Sequence, residues 1–319
     1  MANYGTGNTV LATDLNSFLG GDPVTSSGFL NTVWATGGTT AGYGQTAEAN
    51  VSAGNTVTAA QWGNLVTKTA NAASHQGSSL AAVLTPVAGG TITYQSNIPT
   101  NLTTIYTSRL NATSQGSTTS NTATTVSAWS ANALFTHTVT FANGNAARYF
   151  FNAGGQLKIT CAHSNSTAGI NLLFNNLASN VGTVVMSSPA SGSVTISSVS
   201  FNGITKVGGG GNAPTISTNS GYFAMTVSNA TVFSQTASTG PSGYLSTFIS
   251  VTAKSNGTQG SNGDAGSVIT FYTLWDEIPD GLSVAAGSTT TVTIVPPEST
   301  YLPSASWGTP TVSGTVTVA

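Results

Sequence analysis

The sequence contains very few charged side chains. Asp, Glu, Lys and Arg together make up 4% of its 319 residues, whereas a typical soluble domain has about 25%. The formal net charge is −2, which gives no electrostatic basis for binding nucleic acid or anionic lipid. Because a surface so poor in ionic groups favours association, we expect much of it to be covered by neighbouring subunits.

Cysteine and long apolar runs are also scarce. Cys161 is the single cysteine, so no disulfide can form within the chain, and its alternating surroundings predict a buried, inert thiol. No window of about 18 apolar residues occurs, so no membrane-spanning helix is predicted. The first residues lack the basic and apolar regions of a signal peptide, so we expect synthesis in a cytoplasm and no export by that route.

What the chain does contain is sufficient for a packed core. It has 12 Phe, 9 Tyr and 5 Trp together with many Thr, Val and Ile, a composition that disordered chains do not have. Residues 1–112 predict a smaller helical N-terminal domain. Thr58 and Gln61 fit a capping box, Gly77 fits a helix end, and one helix face between them carries Trp62, Leu65, Val66 and Thr69. Further helices are predicted at Thr13–Leu19, at Ser27–Ala35 and from Pro99.

The period of the sequence changes after this domain. Residues 113–125 show no periodicity and predict a linker. Residues 126–319 contain many short alternating segments separated by Gly and Asn, which predict an antiparallel β-sandwich with a jelly-roll-like arrangement. One helix is expected to interrupt it at "INLLFNNLASNVG", and the glycine-rich loop 206–214 is a candidate break between two subdomains. The predicted fold is therefore mainly β.

An arginine stands among aromatic residues in "NAARYFFNAGGQLKIT", Asn145 to Thr160. We interpret this segment as a hairpin that turns at Ala153–Gly155. Its register then places Arg148, Phe150 and Lys158 on one sheet face. Two roles for Arg148 remain open on this interpretation, a solvated charge beside an exposed ring or a contact between subunits. Arg148→Ala is expected to leave the protomer folded and to weaken assembly.

No set of residues predicts catalysis. Of the histidines His75, His137 and His163, only His163 lies near another metal-binding residue, Cys161, and two ligands do not make a zinc site. We therefore expect no enzymatic activity, no metal and no cofactor.

The carboxylates cluster only in "WDEIPDG". We interpret this cluster as the end of a strand, because glycoside hydrolysis needs two carboxylates that face each other across a cleft. Calcium binding is the alternative interpretation, with loop carbonyls as further ligands and with carboxylates from Asp276, Glu277 and Asp280.

Three segments carry a resemblance to a known family. The first is "AARYFFNAGGQLKIT" with the preceding "FTHTVTFANGN", the second is "GYGQ" at Gly42–Gln45, and the third is "VSAGNTVTAAQWGNLVTKTANAASHQG", which ends in His75-Gln76-Gly77. Together they resemble segments of structural, tail-fibre-like virion proteins of tailed bacteriophages, especially those infecting cyanobacteria and other marine bacteria. The residues singled out as structural or interface candidates are Arg148, Phe150, Lys158, Trp62, Tyr43 and His75.

The resemblance implies a role in particle assembly. It implies a virion protein that docks on the particle through residues 1–112, is made in the host cytoplasm and is released by lysis. Because no fixed-period repeat is present, we expect a compact subunit of the neck, tail or baseplate, or a short fibre. The implied partners are other copies of the chain, as a trimer by analogy with fibres, and other virion proteins.

Two alternative functions stay open. A receptor-binding tail adhesin would recognise a glycan of the host surface, since aromatic rings stack on sugar rings. A capsid decoration protein would cover the shell in many copies.

Overall fold

The protein is described by a computed structural model, which covers residues 10–20, 30–38, 40–85, 97–218, 220–259 and 265–319. Within these ranges, four helices precede the first strand: α1 Ala12–Leu19, α2 Leu30–Trp34, α3 Ala59–Gln76 and α4 Asn97–Thr107. Two more lie among the strands, α5 Gly144–Asn152 and α6 Ile170–Val181. None of the helices in these described ranges is long and apolar enough to cross a membrane.

Thirteen strands form three antiparallel sheets in the described part of the chain. In chain order they are β1 Thr119–Thr124, β2 Asn132–Thr140, β3 Gln156–His163, β4 Thr183–Met186, β5 Val194–Ile196, β6 Val199–Phe201, β7 Ile204–Val207, β8 Thr215–Ile216, β9 Ala230–Thr236, β10 Phe248–Ser255, β11 Val268–Asp276, β12 Ser288–Val295 and β13 Thr311–Val318. A five-stranded sheet has the order β1-β12-β3-β4-β7, and a six-stranded sheet has the order β13-β2-β11-β10-β9-β8. Strands β5 and β6 form a small separate hairpin.

The two large sheets pack as a sandwich. Alternate residues of β2 and β11 are buried, as expected for strands with one face on a core. The indole Nε1 of Trp275, on β11, donates to Oγ1 of Thr290 on β12 at 3.2 Å, which ties one sheet to the other. Early strands pair with late ones, β1 with β12 and β2 with β11. The prediction of a mainly β, antiparallel, sandwich-like fold is confirmed.

Helix α3 begins and ends where the sequence predicts. The Thr58 hydroxyl accepts from Gln61 N at 3.2 Å, and the Gln61 side chain accepts from Thr58 N at 2.9 Å. Gly77 closes the helix in the left-handed conformation, with φ 72°. The helices expected at Thr13–Leu19 and from Pro99 are also present. Of the helix expected at Ser27–Ala35, residues 30–34 are helical and residues 27–29 lie outside the described residues.

Helix α6 is the predicted interruption of the sandwich. Phe174 on its buried face stacks on Trp275 with ring centroids 5.8 Å apart, and it meets Trp129 edge-on at 4.9 Å. The helix therefore fills the space beside the two sheets with aromatic surface.

Residues 113–125 do not form the linker that the sequence predicts. Thr119–Thr124 is strand β1, and Gly116 N donates to Pro296 O at 2.8 Å just before it. The threonine hydroxyls that make the segment look featureless instead pair across strands, as in Thr122 with Thr291 at 2.7 Å. This segment is a strand because it pairs with β12, which is distant in the sequence, and the local sequence did not indicate that pairing.

The loop 206–214 does not separate two subdomains. It carries the chain from β7 in one sheet to β8 in the other, and the later strand β12 returns to the first sheet. Lys206 Nζ, on β7, donates to Gly210 O at 3.1 Å and to the Gln235 side chain at 3.0 Å. Hydrogen bonds thus fix the glycine-rich loop in place.

The predicted hairpin at Asn145–Thr160 is wrong in its first half. Residues 144–152 form helix α5, and the Asn143 side chain caps it by accepting from Ala146 N at 2.9 Å. The Asn-Gly pair therefore starts a helix. Leu157 and Ile159 on β3 are buried as predicted, but β3 pairs with β4 and β12, and the segment that was expected to pair with it is helix α5.

One contiguous core serves the helices and the sheets. Leu15 and Trp62 of the helical segment belong to the same cluster of buried apolar side chains as Phe135 and Leu157 of the sheets. Residues 10–112, where they are described, therefore pack on the sandwich and do not form a core of their own. The role of this segment in docking to a particle stays a prediction.

Candidate functional site: a buried polar network between helices and sheets

The three segments that carry the resemblance meet in the interior of the protein. Helix α5 lies against the loop that contains Gly42–Gln45, and the end of α3 lies against both. The contacts include Arg148 Nη1 to Ala41 O at 2.8 Å and His75 Nε2 to Ala153 O at 3.0 Å. Residues far apart in the sequence therefore form one site, which we call the buried polar network.

Arg148 occupies the centre of this network. Its side chain is fully buried, and its guanidinium donates to the carbonyls of Ala41 at 2.8 Å and Thr36 at 2.7 Å. The guanidinium also lies over the ring of Tyr149, 4.6 Å from the centroid. The prediction that Arg148 lies on a sheet face is wrong, because α5 turns the side chain inward onto the N-terminal loop.

Asn152 supports the same loop from one helical turn further along. Its Nδ2 donates to the carbonyls of Ala41 at 3.1 Å and Gly42 at 3.0 Å. Positions 148 and 152 share a helix face, since residues four apart lie one above the other. The sequence reasoning missed Asn152, and helical spacing from Arg148 is the signal that would have indicated it.

Two glycines allow the loop to approach this closely. Gly42 and Gly44 both have positive φ, 94° and 70°. A Cβ at Gly42 would overlap the carbonyl of Thr36, and a Cβ at Gly44 would overlap the ring of Tyr149. The "GYGQ" segment is thus shaped by contact with α5 and with the loop before it.

Tyr43 joins the loop to helices α3 and α4. Its buried hydroxyl donates to Arg109 O at 2.8 Å and accepts from Gln76 Nε2 at 2.7 Å. Gln76 Nε2 also donates to Ile105 O at 2.9 Å. Burial raises the pKa of Tyr43, so the phenol stays protonated. Gln76 and Arg109 were not singled out from the sequence as site residues.

His75 joins α3 to the end of α5. Its Nε2 is the donor to Ala153 O, since the carbonyl can only accept. Its ring also meets that of Tyr43 edge-on, with centroids 5.5 Å apart. Burial lowers the pKa of His75 from 6.5 to about 4, although the Ala153 carbonyl favours the protonated form. The neutral imidazole is therefore the form that fits the network.

The other candidate residues lie outside the network. Trp62 packs edge-on against Phe18 at 6.0 Å, and Phe150 packs edge-on against Phe141 at 5.2 Å. Lys158 is half-buried on β3, where burial lowers its pKa. Of the six candidates only Lys158 reaches the surface, so the others act on the fold of the protomer and do not touch a partner directly.

The acidic segment forms a turn. The buried carboxylate of Glu277 accepts from Gly281 N at 3.3 Å and Leu282 N at 3.1 Å. The pKa of Asp276 is raised by burial and by the nearby charge of Asp280. Across the described ranges, no group of three or more His, Cys, Asp or Glu side chains is arranged to hold a metal ion.

The Cys161 and His163 pair is used in packing. His163 Nδ1 lies 3.1 Å from Ser288 Oγ, and its Nε2 lies 3.2 Å from Asn171 Oδ1. Burial raises the pKa of the Cys161 thiol, which keeps the sulfur protonated and unreactive.

Comparison with protein-family models, with curated proteins and with solved structures found no match to the chain. The chemistry of the buried polar network is therefore the basis for its interpretation. It holds a charged group and several amides against backbone carbonyls, with its central side chains enclosed by protein. Such an arrangement fixes the position of one segment on another.

Replacing Arg148 tests whether the network holds the fold. Arg148→Ala removes a fully buried side chain together with its hydrogen bonds to Ala41 O and Thr36 O, so we expect the free energy of unfolding to fall by about 3–5 kcal/mol. Urea denaturation followed by circular dichroism measures the change. Lys254→Ala removes a cation that lies over the ring of Tyr272 at 5.5 Å on the outer sheet face, and we expect a change below about 1 kcal/mol. Equal effects of the two substitutions would contradict a central role for Arg148.

Acidification tests the buried imidazole. The folded pKa of His75 lies below its ordinary value, so the unfolded chain binds the proton more readily. The contribution of the neutral His75 to the free energy of unfolding is therefore fully present above about pH 6.5. It falls as the pH drops toward 4, by about 2 kcal/mol between pH 7 and pH 5. Urea titrations at the two pH values measure the difference.

The same experiment on His75→Gln assigns the effect. The variant should lose most of this pH dependence and keep a smaller slope from His137 and His163, whose pKa values are also lowered by burial. An unchanged slope would show that His75 is not responsible.

The close approach at Gly44 has a matched control at Gly54. Both residues have positive φ, but a Cβ at Gly54 would meet no atom within 4 Å. Gly54→Ala should lower the unfolding free energy by about 1 kcal/mol through backbone strain alone. Gly44→Ala should lower it by a further 1–3 kcal/mol or so, because the methyl group overlaps Tyr149. Thermal and urea unfolding of the two variants give the comparison.

Proposed function

We propose that this chain is a structural protein of a tailed-bacteriophage particle. It acts by assembling with other copies of itself and with other virion proteins in the neck, tail or baseplate, or in a short fibre, and it catalyses no reaction. The observation that carries this proposal is the outer surface of the β-sandwich, which is rich in hydroxyl groups and poor in charged side chains.

The outer face of the five-stranded sheet illustrates this surface. Exposed hydroxyl side chains of β1 and β12 pair across the strands, Ser120 with Thr293 at 2.8 Å and Thr122 with Thr291 at 2.7 Å. These groups satisfy one another and so hold water less strongly than charged side chains would. Such a face is suited to burial against another protein surface at a low desolvation cost.

The edge of the six-stranded sheet supports the same conclusion. Strand β13, Thr311–Val318, is one of the two edge strands of this sheet and contains neither a charged residue nor a proline. Monomeric proteins usually protect such edges with lysine, proline or a bulge. An unprotected edge eight residues long therefore favours pairing with a neighbour in an assembly.

Light scattering coupled to size-exclusion chromatography tests the proposal. We expect an oligomer, with a trimer of three times the 31.9 kDa chain mass favoured. Thr315→Lys with Thr317→Lys places like charges on the β13 edge and should shift the population toward monomer. Ser52→Lys, at an exposed loop position, is the matched control and should leave the mass unchanged. A wild-type protein that stays monomeric at micromolar concentration would contradict self-assembly.

Density for the chain in a reconstruction of an intact particle tests the virion assignment separately. Density at the neck, tail or baseplate is expected. Density distributed over the shell would favour a decoration protein, and absence from any particle would overturn the assignment.

A further inference from the structure

An open groove crosses the outer face of the six-stranded sheet. It has a volume of about 700 Å³ and is lined by residues of β2, β10 and β11, with the start of β9 at its rim. Volumes of about 300–1,000 Å³ are typical of sites for small ligands. The groove lies on the opposite side of this sheet from the packed core.

Two aromatic rings lie toward the two ends of the groove. Tyr272 on β11 is paired with Thr252, and Phe248 on β10 is paired with Asp276. The two rings are therefore offset by four residues along the strands, about 13 Å. Both rings are half-buried, so each is held by the sheet and still presents a surface to the groove.

Aliphatic side chains form the floor between the rings. Leu274 and Leu134 are paired across β11 and β2, and both line the groove. Ser250 is paired with Leu274 on the other side. The floor is therefore an apolar strip bordered by a hydroxyl group.

The rim of the groove is polar and uncharged. Thr231, Thr252 and Ser234 supply hydroxyl groups, and Asn229 supplies an amide. The Thr231 and Thr252 hydroxyls lie 3.3 Å apart. Among the described residues, none of those that line the groove is ionic. Lys254 lies beside the groove, and its ammonium group is over the ring of Tyr272, 5.5 Å from the centroid.

This combination fits one class of ligand. A sugar ring has an apolar face of C–H groups, which packs on aromatic faces, and a rim of hydroxyl groups, which hydrogen-bond to hydroxyls and amides. An anionic ligand would need a cluster of cations, and the lining as far as the structure describes it has none. The outer face of β1 and β12 offers a contrast, since no aromatic side chain lies on these strands.

We propose that the groove between Tyr272 and Phe248 binds a neutral oligosaccharide. The two rings stack on sugars at separate positions, and the rim hydroxyls and Asn229 fix their orientation. This site is additional to the assembly role and does not depend on it.

Isothermal titration of the wild-type protein with a panel of cellohexaose, maltohexaose, chitohexaose and mannohexaose tests the proposal. We expect at least one member to bind. Tyr272→Ala should weaken that binding about tenfold or more, while Tyr272→Phe, which keeps the ring, should change it by no more than about threefold. Tyr301→Ala removes an exposed tyrosine that is not part of the groove lining and is the matched control.

The outcomes separate this proposal from its rivals. Absence of binding by the whole panel would overturn it, as would binding that Tyr272→Ala and Phe248→Ala leave unchanged. If Tyr272→Ala instead lowers the mass of the oligomer and no saccharide binds, the groove is covered by a second copy and the proposal also fails. If Tyr272→Ala does not fold, Phe248→Ala decides, because it removes the other ring and should weaken binding about tenfold.

Discussion

A guanidinium group removed from water must find acceptors for its N–H groups, because an unpaired buried charge is among the most destabilising features a protein can contain. Arg148 reaches the carbonyls of Thr36 and Ala41, which belong to a loop more than one hundred residues earlier in the chain. The rest of the N-terminal arrangement depends on this contact. Helix α5 has to face inward for the side chain to reach the loop, and the loop has to present its carbonyls to the helix.

The surrounding residues make that geometry available. Glycines at 42 and 44 let the backbone lie against Thr36 and Tyr149 without a side chain in between. Asn152 donates a second hydrogen bond to the carbonyl of Ala41, and His75 joins the end of α5 to α3. A chain with 4% charged residues therefore places one of its few cations in the interior, while its sandwich surface is largely hydroxyl-bearing. Few ionic groups remain to oppose contact with a neighbouring molecule.

The sequence could predict those parts of the fold whose causes are local. The capping box at Thr58 and the glycine at 77 mark the ends of α3, and the alternating residues of β2 and β11 indicate which face is buried. Helix α5 was beyond such reasoning. Its nine residues are almost all buried, so the polar side formed by Asn145, Arg148 and Asn152 does not mark a solvent-exposed face. The partners that stabilise the helix lie in a distant loop. Strand β1 was not predicted for the same reason, since a run of Ser and Thr does not indicate that it pairs with β12.

The sequence indicated several residues of the candidate site but not the role that they have in it. Arg148, Tyr43 and His75 were chosen from separate segments, and the structure brings all three into one network. Their position in the interior follows from tertiary packing, which cannot be deduced from the spacing of residues along the sequence. The groove on the six-stranded sheet was not predicted as a location, because Tyr272 and Phe248 are brought onto one face only by the pairing of β10 with β11.

The side chain of Gln45 has a consequence for how the protein is made. Its Nε2 donates to the carbonyl of Pro303 at 3.0 Å, across 258 residues of sequence. The "GYGQ" loop therefore leaves the ribosome long before Pro303 has been synthesised. Formation of the nearby helices alone cannot give this loop all of its native contacts during synthesis. Contacts of such long range slow folding and leave apolar surface uncovered in the meantime. The nascent chain thus spends most of its synthesis with an unfinished end that chaperones are suited to shield.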